Sequence, residues 1–96
     1  MASFGGTRME RVTFEDCLLA QTDFLEATLD GVRFHGCELR AADFRGAKLR
    51  NTEFRGCELS ELLGVEDLRG AAFEWEAIVG MAEVWATALG IKVLSE

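Results

Sequence analysis

The sequence predicts an all-β solenoid: a four-sided β-helix of about three coils plus a partial fourth, with a C-terminal α-helical cap. Three observations favour this fold class over a helix bundle or a sandwich. Large apolar residues recur at every fifth position, residue types repeat at a spacing of twenty, and the spacing becomes helical after residue 73. The chain has 96 residues, ten Gly and no Pro. It is therefore long enough for one domain, whose corners are not set by Pro.

The five-residue spacing defines the core of the expected solenoid. It runs without a gap through Phe4, Met9, Phe14, Leu19, Phe24, Leu29, Phe34, Leu39, Phe44, Leu49, Phe54 and Leu59. Neither the period of an α-helix nor that of a plain strand keeps these residues on one side of the element. A chain that turns a corner every five residues does so, because each side then points one large residue inward.

The twenty-residue repeat predicts how the coils stack. Cysteines recur at this spacing, the Phe residues fall into two columns, and two mainly Leu columns alternate with them. We therefore expect parallel backbone ladders, about 4.8 Å apart, around a narrow dry core. The expected core stack contains Phe4, Phe24, Phe44, Phe14, Phe34, Phe54, Leu29, Leu49, Leu19, Leu39, Leu59, Cys17, Cys37 and Cys57.

The repeats resemble the A(D/N)Lxx consensus of the pentapeptide-repeat family. Residues 42–46 read Ala-Asp-Phe-Arg-Gly and residues 47–51 read Ala-Lys-Leu-Arg-Asn. The resemblance covers roughly residues 1–60 and resumes over residues 67–73. It implies the right-handed quadrilateral β-helix of that family.

The regular spacing breaks near residues 60–67. Gly64 stands where a large apolar residue is expected, and Leu68 and Phe73 resume the pattern. We interpret this segment as a distorted, partial fourth coil. The expected organisation is a pentapeptide-repeat β-helix over residues 1–73, followed by a capping or dimerisation helix and tail over residues 74–96.

From residue 74 to residue 89 the apolar residues follow the period of one α-helix. The stripe expected to face the solenoid contains Trp75, Ile78, Val79, Ala82, Trp85, Ala86 and Leu89. Further apolar residues widen this stripe beyond one packing contact. Either the extra surface meets the return segment 91–94, or it pairs with a second copy through Met81, Val84 and Trp85. Related pentapeptide-repeat proteins commonly dimerise through C-terminal helices, so the resemblance favours a homodimer.

No residue pattern indicates catalysis, a cofactor or a metal. The three cysteines share one inward column and do not converge on a point as metal ligands do, so we interpret them as free core thiols. His35 is the single histidine and is expected on the outer surface, in a column with Glu15 and Arg55. A convex rod offers no cleft for a general base. The sequence predicts no enzyme activity, no cofactor and no small-molecule substrate.

The charge pattern limits the class of partner. The net charge is −7, with a net of −2 over residues 1–60 and −5 over residues 61–96. Direct binding to nucleic acid or to an anionic membrane is not expected, because both need a basic surface. Four arginines, spaced five apart, are expected to ring the last complete coil: Arg40, Arg45, Arg50 and Arg55. They either pair with Asp43, Glu38, Glu53 and Glu58 or form a surface for an acidic partner.

Three functional hypotheses follow from this reasoning. The first is a non-enzymatic protein-interaction module with an unidentified protein partner. The second comes from the resemblance, since the best-known pentapeptide-repeat proteins mimic DNA and bind type II topoisomerases, protecting them from quinolones. The third is an engineered or truncated repeat scaffold. The odd cysteine count and the lack of a leader-like start at Met1 favour a cytoplasmic location.

Overall fold

The computed structural model describes residues 2–94, so Met1 and the last two residues of the tail lie outside the described part. The chain winds into a parallel β-solenoid of about three turns, followed by a short helical cap. Its elements are β1 (Arg8–Glu10), β2 (Thr13–Glu15), β3 (Thr28–Asp30), β4 (Arg33–His35), β5 (Lys48–Arg50), β6 (Thr52–Arg55), a 3-10 turn (Val65–Asp67), β7 (Ala71–Phe73), α1 (Trp75–Gly80) and α2 (Ala82–Ala88).

Two parallel sheets form two of the four sides. One has the order β1-β3-β5 and the other the order β2-β4-β6-β7. The first three coils stack with a twenty-residue register, as in the pairing of Phe14 with Phe34 and of Phe34 with Phe54. The remaining two sides are joined by single parallel bridges, such as those of Asp23 with Asp43 and of Glu38 with Glu58. The four-sided β-helix expected from the five-residue spacing is confirmed.

Left-handed residues set the corners of the solenoid. A residue with a φ between 49° and 71° occurs two positions after each large inward residue. These corner residues are Gly6, Arg11, Asp16, Gln21, Glu26, Gly31, Gly36, Ala41, Gly46, Asn51, Gly56 and Glu61. Seven of the twelve are not Gly, so each of those seven carries the steric cost of the left-handed region. Proline is unsuited to these corners because its ring holds φ near about −65°.

Stacked aromatic rings fill the core. The ring centroids of Phe24 and Phe44 are 4.8 Å apart, and those of Phe34 and Phe54 are also 4.8 Å apart. Between the two columns the rings meet edge to face, and the angle between the ring planes of Phe24 and Phe34 is 89°. This combination of offset stacks and perpendicular contacts suits the quadrupole of each ring. The Leu columns of the core stack are buried beside them.

The first coil leaves its core partly open to solvent. Phe4 and Phe14 are only partly buried, whereas the Phe residues of the second and third coils are fully buried. Only Cys37 of the three thiols is buried, because Cys17 lies in the open first coil and Cys57 borders a groove beneath the cap. The expectation that all three thiols are enclosed in the core is therefore right for Cys37 alone.

The fourth coil is one residue shorter than the others. Phe54 pairs with Phe73, where a twenty-residue register would pair it with residue 74. The 3-10 turn replaces one side and buries Val65. Gly64 precedes this turn with a φ of 80°, and a Cβ there would lie 2.5 Å from the Arg45 backbone nitrogen. Only Gly allows the turn to approach the coil below so closely.

The cap is a bent pair of helices, and the expectation of one continuous helix over residues 74–89 is wrong. The interruption lies at Met81, whose φ is −105°. Met81 is 8% exposed and belongs to the core cluster. Trp85 meets Phe73 edge to face, with centroids 5.9 Å apart. The bend therefore lets one residue from the junction and one from α2 cover the end of the solenoid.

Candidate functional site

Val84 is one of the exposed apolar residues of the cap, with an exposed fraction of 45%. Two grooves flank this residue. The Cys57 groove has a volume of about 390 Å³ and is lined by residues that include Cys57, Leu59, Leu62, Ala77, Met81 and Val84. The Leu63 groove has a volume of about 550 Å³ and is lined by residues that include Leu62, Leu63, Val65, Val84 and Ala88. Val84 thus forms a ridge between two largely apolar depressions.

The structure separates the three residues that the sequence suggested for an interface between copies. Val84 is on the surface, as expected. Met81 is not, because the bend turns its side chain into the core, where it forms part of the floor of the Cys57 groove. Trp85 is partly buried, and its Nε1 has no hydrogen-bond partner within residues 2–94.

Four apolar residues that sequence reasoning assigned to the packing stripe are exposed instead, and one of them is Ala82. Trp75 is 73% exposed, Val79 is 56% exposed and Leu89 is 73% exposed. A straight helix would place Trp75 and Val79 on the stripe with Trp85, but the interruption at Met81 separates these two residues of α1 from Trp85 in α2. The break in helical geometry at Met81 has no clear sequence signal, although the neighbouring Gly80 is a weak one.

The arginine ring is largely neutralised by ion pairs. Arg40 Nε lies 2.7 Å from Glu61 Oε2, and Arg45 binds Asp43 with two nitrogens at 2.7 to 3.2 Å. The hydrogen bond from Arg45 holds the pKa of Asp43 below its usual range. Glu61, the partner of Arg40, was not among the four carboxylates expected to pair with the ring, whereas Asp43 was.

Arg55 belongs to a small polar network on the next side. Its Nε lies 2.9 Å from Glu53 Oε2, and His35 Nε2 lies 2.7 Å from the same oxygen. The two hydrogen bonds, that from His35 first, lower the pKa of Glu53. Among the four arginines of the ring, Arg50 alone makes no ion pair with any residue between positions 2 and 94.

Two of the three cysteine thiols contact backbone carbonyl oxygens of the coil below. Cys37 Sγ lies 3.3 Å from the Phe14 carbonyl oxygen, and Cys57 Sγ lies 3.3 Å from the Phe34 carbonyl oxygen. Each thiol donates weakly to the coil below, and burial raises the pKa of both. Within the described residues, no group of three or more potential ligands is placed to hold a metal ion.

Solved structures share this architecture. Two trypsin-treated variants of QnrB1, described as a plasmid-mediated fluoroquinolone resistance protein, match with TM-scores of 0.57 and 0.55 and identities of 21% and 23%. They cover 97% and 96% of this chain, which spans only 45% of each QnrB1 chain. A pentapeptide repeat protein from the thylakoid lumen of Arabidopsis thaliana matches at 20% identity with a TM-score of 0.48 over 86% of this chain and 72% of that one.

Sequence comparisons give the family. No curated protein matches the chain significantly. Neither helix within residues 2–94 has the length and the apolar run that crossing a membrane requires. The sequence profile of the pentapeptide repeat region matches residues 1–63. Together with the stacked coils of this solenoid, this match shows that the chain belongs to the pentapeptide-repeat family.

Proposed function

We propose that the protein is a non-enzymatic protein-interaction module that works as a two-fold homodimer. The observation that carries the proposal is the Val84 ridge, which stands exposed between the Cys57 groove and the Leu63 groove. A dimer joined through the cap would point two solenoids away from each other. It would thereby present two copies of every column of side chains on a rigid support.

A second copy of the chain fits the Val84 ridge for a reason of symmetry. A two-fold interface uses the same patch on both partners, so the patch must contain both a projection and a recess that receives it. The ridge and its two grooves meet this requirement within one surface. Glu61 and Glu83 lie at the margins of the grooves. There they would stay in the hydrated rim that charged residues normally occupy at interfaces.

A single substitution tests the dimer. Val84→Glu would place a carboxylate on the ridge and should convert a wild-type dimer into a monomer, because an unpaired charge is costly in an apolar interface. The control is Val79→Glu, which makes the same chemical change on an exposed residue of α1 that lines neither groove. Met81 is left intact because its side chain is part of the core.

Light scattering at micromolar concentrations measures the outcome. The wild type and Val79→Glu are expected to have the mass of a dimer, and Val84→Glu the mass of a monomer with an unchanged far-UV spectrum. A monomeric wild type would refute the dimer. Loss of the dimer in both variants would place the interface elsewhere on the cap.

A second candidate is DNA mimicry, with binding to a type II topoisomerase. It is supported by Asp23 and Asp43, which are bridged one coil apart on one side of the rod, although Arg45 pairs with Asp43 on that side. The neighbouring side carries Lys48, which interrupts the negative surface. A supercoiling assay with DNA gyrase, with and without a quinolone, tests this candidate. Inhibition or protection by the wild type at micromolar concentrations would favour mimicry over the first proposal.

The proposed location is a reducing compartment such as the cytoplasm. Cys17, Cys37 and Cys57 are all free thiols in the structure, and cytosolic proteins normally keep their thiols reduced. Fractionation of the native cell, followed by detection with an antibody, checks this location.

A further inference from the structure

Three cations lie together on one side of the rod without carboxylate partners. Lys48 and Arg50 are the exposed, outward-facing residues of β5, on either side of the buried Leu49. Arg69 is exposed in the fourth coil. Within residues 2–94, none of the three forms an ion pair. We call Lys48, Arg50 and Arg69 the cationic patch.

The short fourth coil brings Arg69 to this position. A Cβ on Gly70 would meet the Leu49 carbonyl and would lie 3.5 Å from Arg50 Cα. Gly70 therefore packs directly on the backbone of β5, which places Arg69 above Arg50. Arg69 and Lys48 also line the same shallow cleft, with a volume of about 240 Å³.

The nearby carboxylates form no ion pair with the patch within residues 2–94. Asp30 is the register partner of Arg50 in the coil below, but the two make no ion pair within the described part of the chain. Asp67 lines the cleft, and its Oδ2 accepts a hydrogen bond from the Gly46 backbone nitrogen at 2.8 Å. Lys48, Arg50 and Arg69 therefore keep exposed positive charges that a bound anionic group would pair with.

The patch contrasts with the other arginines of the ring. Arg40, Arg45 and Arg55 each bind a carboxylate of their own chain. Acidic residues outnumber basic ones by 17 to 10 in this sequence, so internal partners are abundant. The cationic patch is thus a local cluster of unpaired cations on an acidic protein, and an external carboxylate would give Arg50 the kind of partner that the other arginines of the ring have.

We propose that the cationic patch docks an extended, carboxylate-rich segment of a partner protein. Lys48 and Arg50 are two residues apart on a strand, which separates them by about 6.6 Å. Alternate side chains of an extended peptide have the same spacing, so carboxylates at positions i and i+2 would face the two cations. The two guanidinium groups of Arg50 and Arg69 can each bind a carboxylate in a bidentate manner. This inference rests on the proposed interaction function and names its partner class.

An acidic peptide fits this surface better than a nucleic acid does. Within the described residues, the patch offers three unpaired cations, while the same sheet carries Asp30 in the coil below and Glu10, paired with Arg8, in the first coil. A phosphate backbone that followed the sheet would meet those carboxylates on a protein with a net charge of −7. A short segment can contact the patch alone.

The test uses a fluorescein-labelled octapeptide in which Glu and Ser alternate, titrated at low salt and followed by fluorescence anisotropy. The test variant is Arg50→Gln with Arg69→Gln. The matched control is Arg40→Gln with Arg45→Gln, which removes the same charge from arginines that already have partners. We expect the test variant to weaken binding at least about tenfold and the control to change it less than about twofold, because Arg40 and Arg45 lie outside the patch and already pair with Glu61 and Asp43. The single variant Arg69→Gln should give an intermediate loss.

Four results would overturn the proposal. Two concern the alternating peptide: no binding to the wild type, or equal losses of affinity in both double variants. The other two concern different ligands: equal affinity for a peptide with four consecutive Glu followed by four Ser, or tighter binding of a single-stranded DNA octamer. Light scattering on the same samples separates this inference from the dimer, since neither double variant alters the cap. A dimer that fails to bind the peptide refutes the patch alone.

Discussion

His35 Nε2 and Glu53 Oε2 lie 2.7 Å apart, although the backbone of His35 is aligned with Arg55 in the coil above. The contact is diagonal across two coils, and Arg55 binds the same carboxylate oxygen from its own strand. Three side chains on adjacent coils therefore share one negative charge. This network links the third coil to the second on the side formed by β2, β4, β6 and β7.

The network predicts a pH dependence of stability. The pKa of Glu53 is lowered in the folded protein by hydrogen bonds from His35 and Arg55, so ionised Glu53 stabilises the fold above the ordinary Glu range, near about pH 4.3. That contribution is lost as the pH falls through the lower folded pKa. The melting temperatures of the wild type and Glu53→Gln should therefore differ at neutral pH and converge in acid. The control is Glu15→Gln, at an exposed carboxylate without an ion pair in the described residues. If its melting temperature converged with that of the wild type by an equal amount, the pH dependence could not be assigned to Glu53.

The Phe columns predict a gradient of mutational cost along the rod. Phe34 is fully buried between Phe14 and Phe54, whereas Phe14 lies in the partly open first coil. Phe34→Ala should cost about 3–5 kcal/mol, as for other buried Phe residues, and Phe14→Ala less than half of that. Urea denaturation measures both. If Phe34→Ala does not fold, Phe34→Leu and Phe14→Leu provide the same comparison, and equal costs for the two positions would refute the stacking order.

The close approach of the fourth coil predicts that Gly70 cannot be replaced. Gly70 has a φ of 86° and its missing Cβ faces the Leu49 carbonyl, whereas Gly90 has a φ of 74° and open space around it. Gly90→Ala should cost about 1 kcal/mol from the left-handed conformation alone. Gly70→Ala should cost at least about twice as much because the backbone must also shift. Thermal melting compares the two variants, and similar melting temperatures would show that the coil can relax.

The cysteine column predicts an order of chemical labelling. Cys37 is 1% exposed, while Cys17 and Cys57 are partly exposed. Burial also raises the pKa of Cys37 and Cys57, which reduces their thiolate fraction near neutral pH. In the native protein, Cys37 should react at least about a hundredfold more slowly than in denaturant, and more slowly than Cys17. Mass spectrometry of peptides after timed alkylation gives the three rates, and rapid labelling of Cys37 would contradict its burial.

The charge of the cap region predicts how salt affects the proposed dimer. Residues 61–96 carry a net charge of −5, so two caps repel each other across a shared interface. Raising NaCl from about 20 mM to about 300 mM shortens the screening length below about 10 Å and should tighten the dimer. Glu83→Gln, at the margin of the Leu63 groove, should reduce this salt dependence. Sedimentation equilibrium checks both, and a dimer that weakens with salt would mean that attractive charges hold it together.

The repeat made most of the solenoid predictable. Each side contributes one large inward residue, so the positions of Phe24 and Leu29 follow from spacing alone, and the twenty-residue alignment gives the stacking. The left-handed corners were not predictable from residue type, because Arg11, Gln21 and Glu26 rarely adopt that conformation outside such a frame. Backbone hydrogen bonds to the coil above hold each of them in place.

The cap and the polar contacts were less predictable for a different reason. Long side chains reach diagonally to other coils, so Arg40 binds Glu61 and His35 binds Glu53. The backbone register does not determine these partners. The bend at Met81 depends on how α1 meets the short fourth coil. A straight-helix projection consequently put Met81 outside and Val79 inside, the reverse of what the structure shows.

The twenty-residue register also has a consequence for how the chain reaches its fold. Each ladder joins segments only about one coil apart in the sequence, so the first stacked pair requires the closure of one loop of modest length. Every later coil adds to an edge that already exists, as in other linear repeat proteins. The rate-limiting step of folding should thus be the ordering of one coil against its neighbour. The rate of this step should depend little on the number of coils. Inserting or deleting a complete coil would change the free energy of unfolding but leave the entropic barrier to nucleation nearly the same.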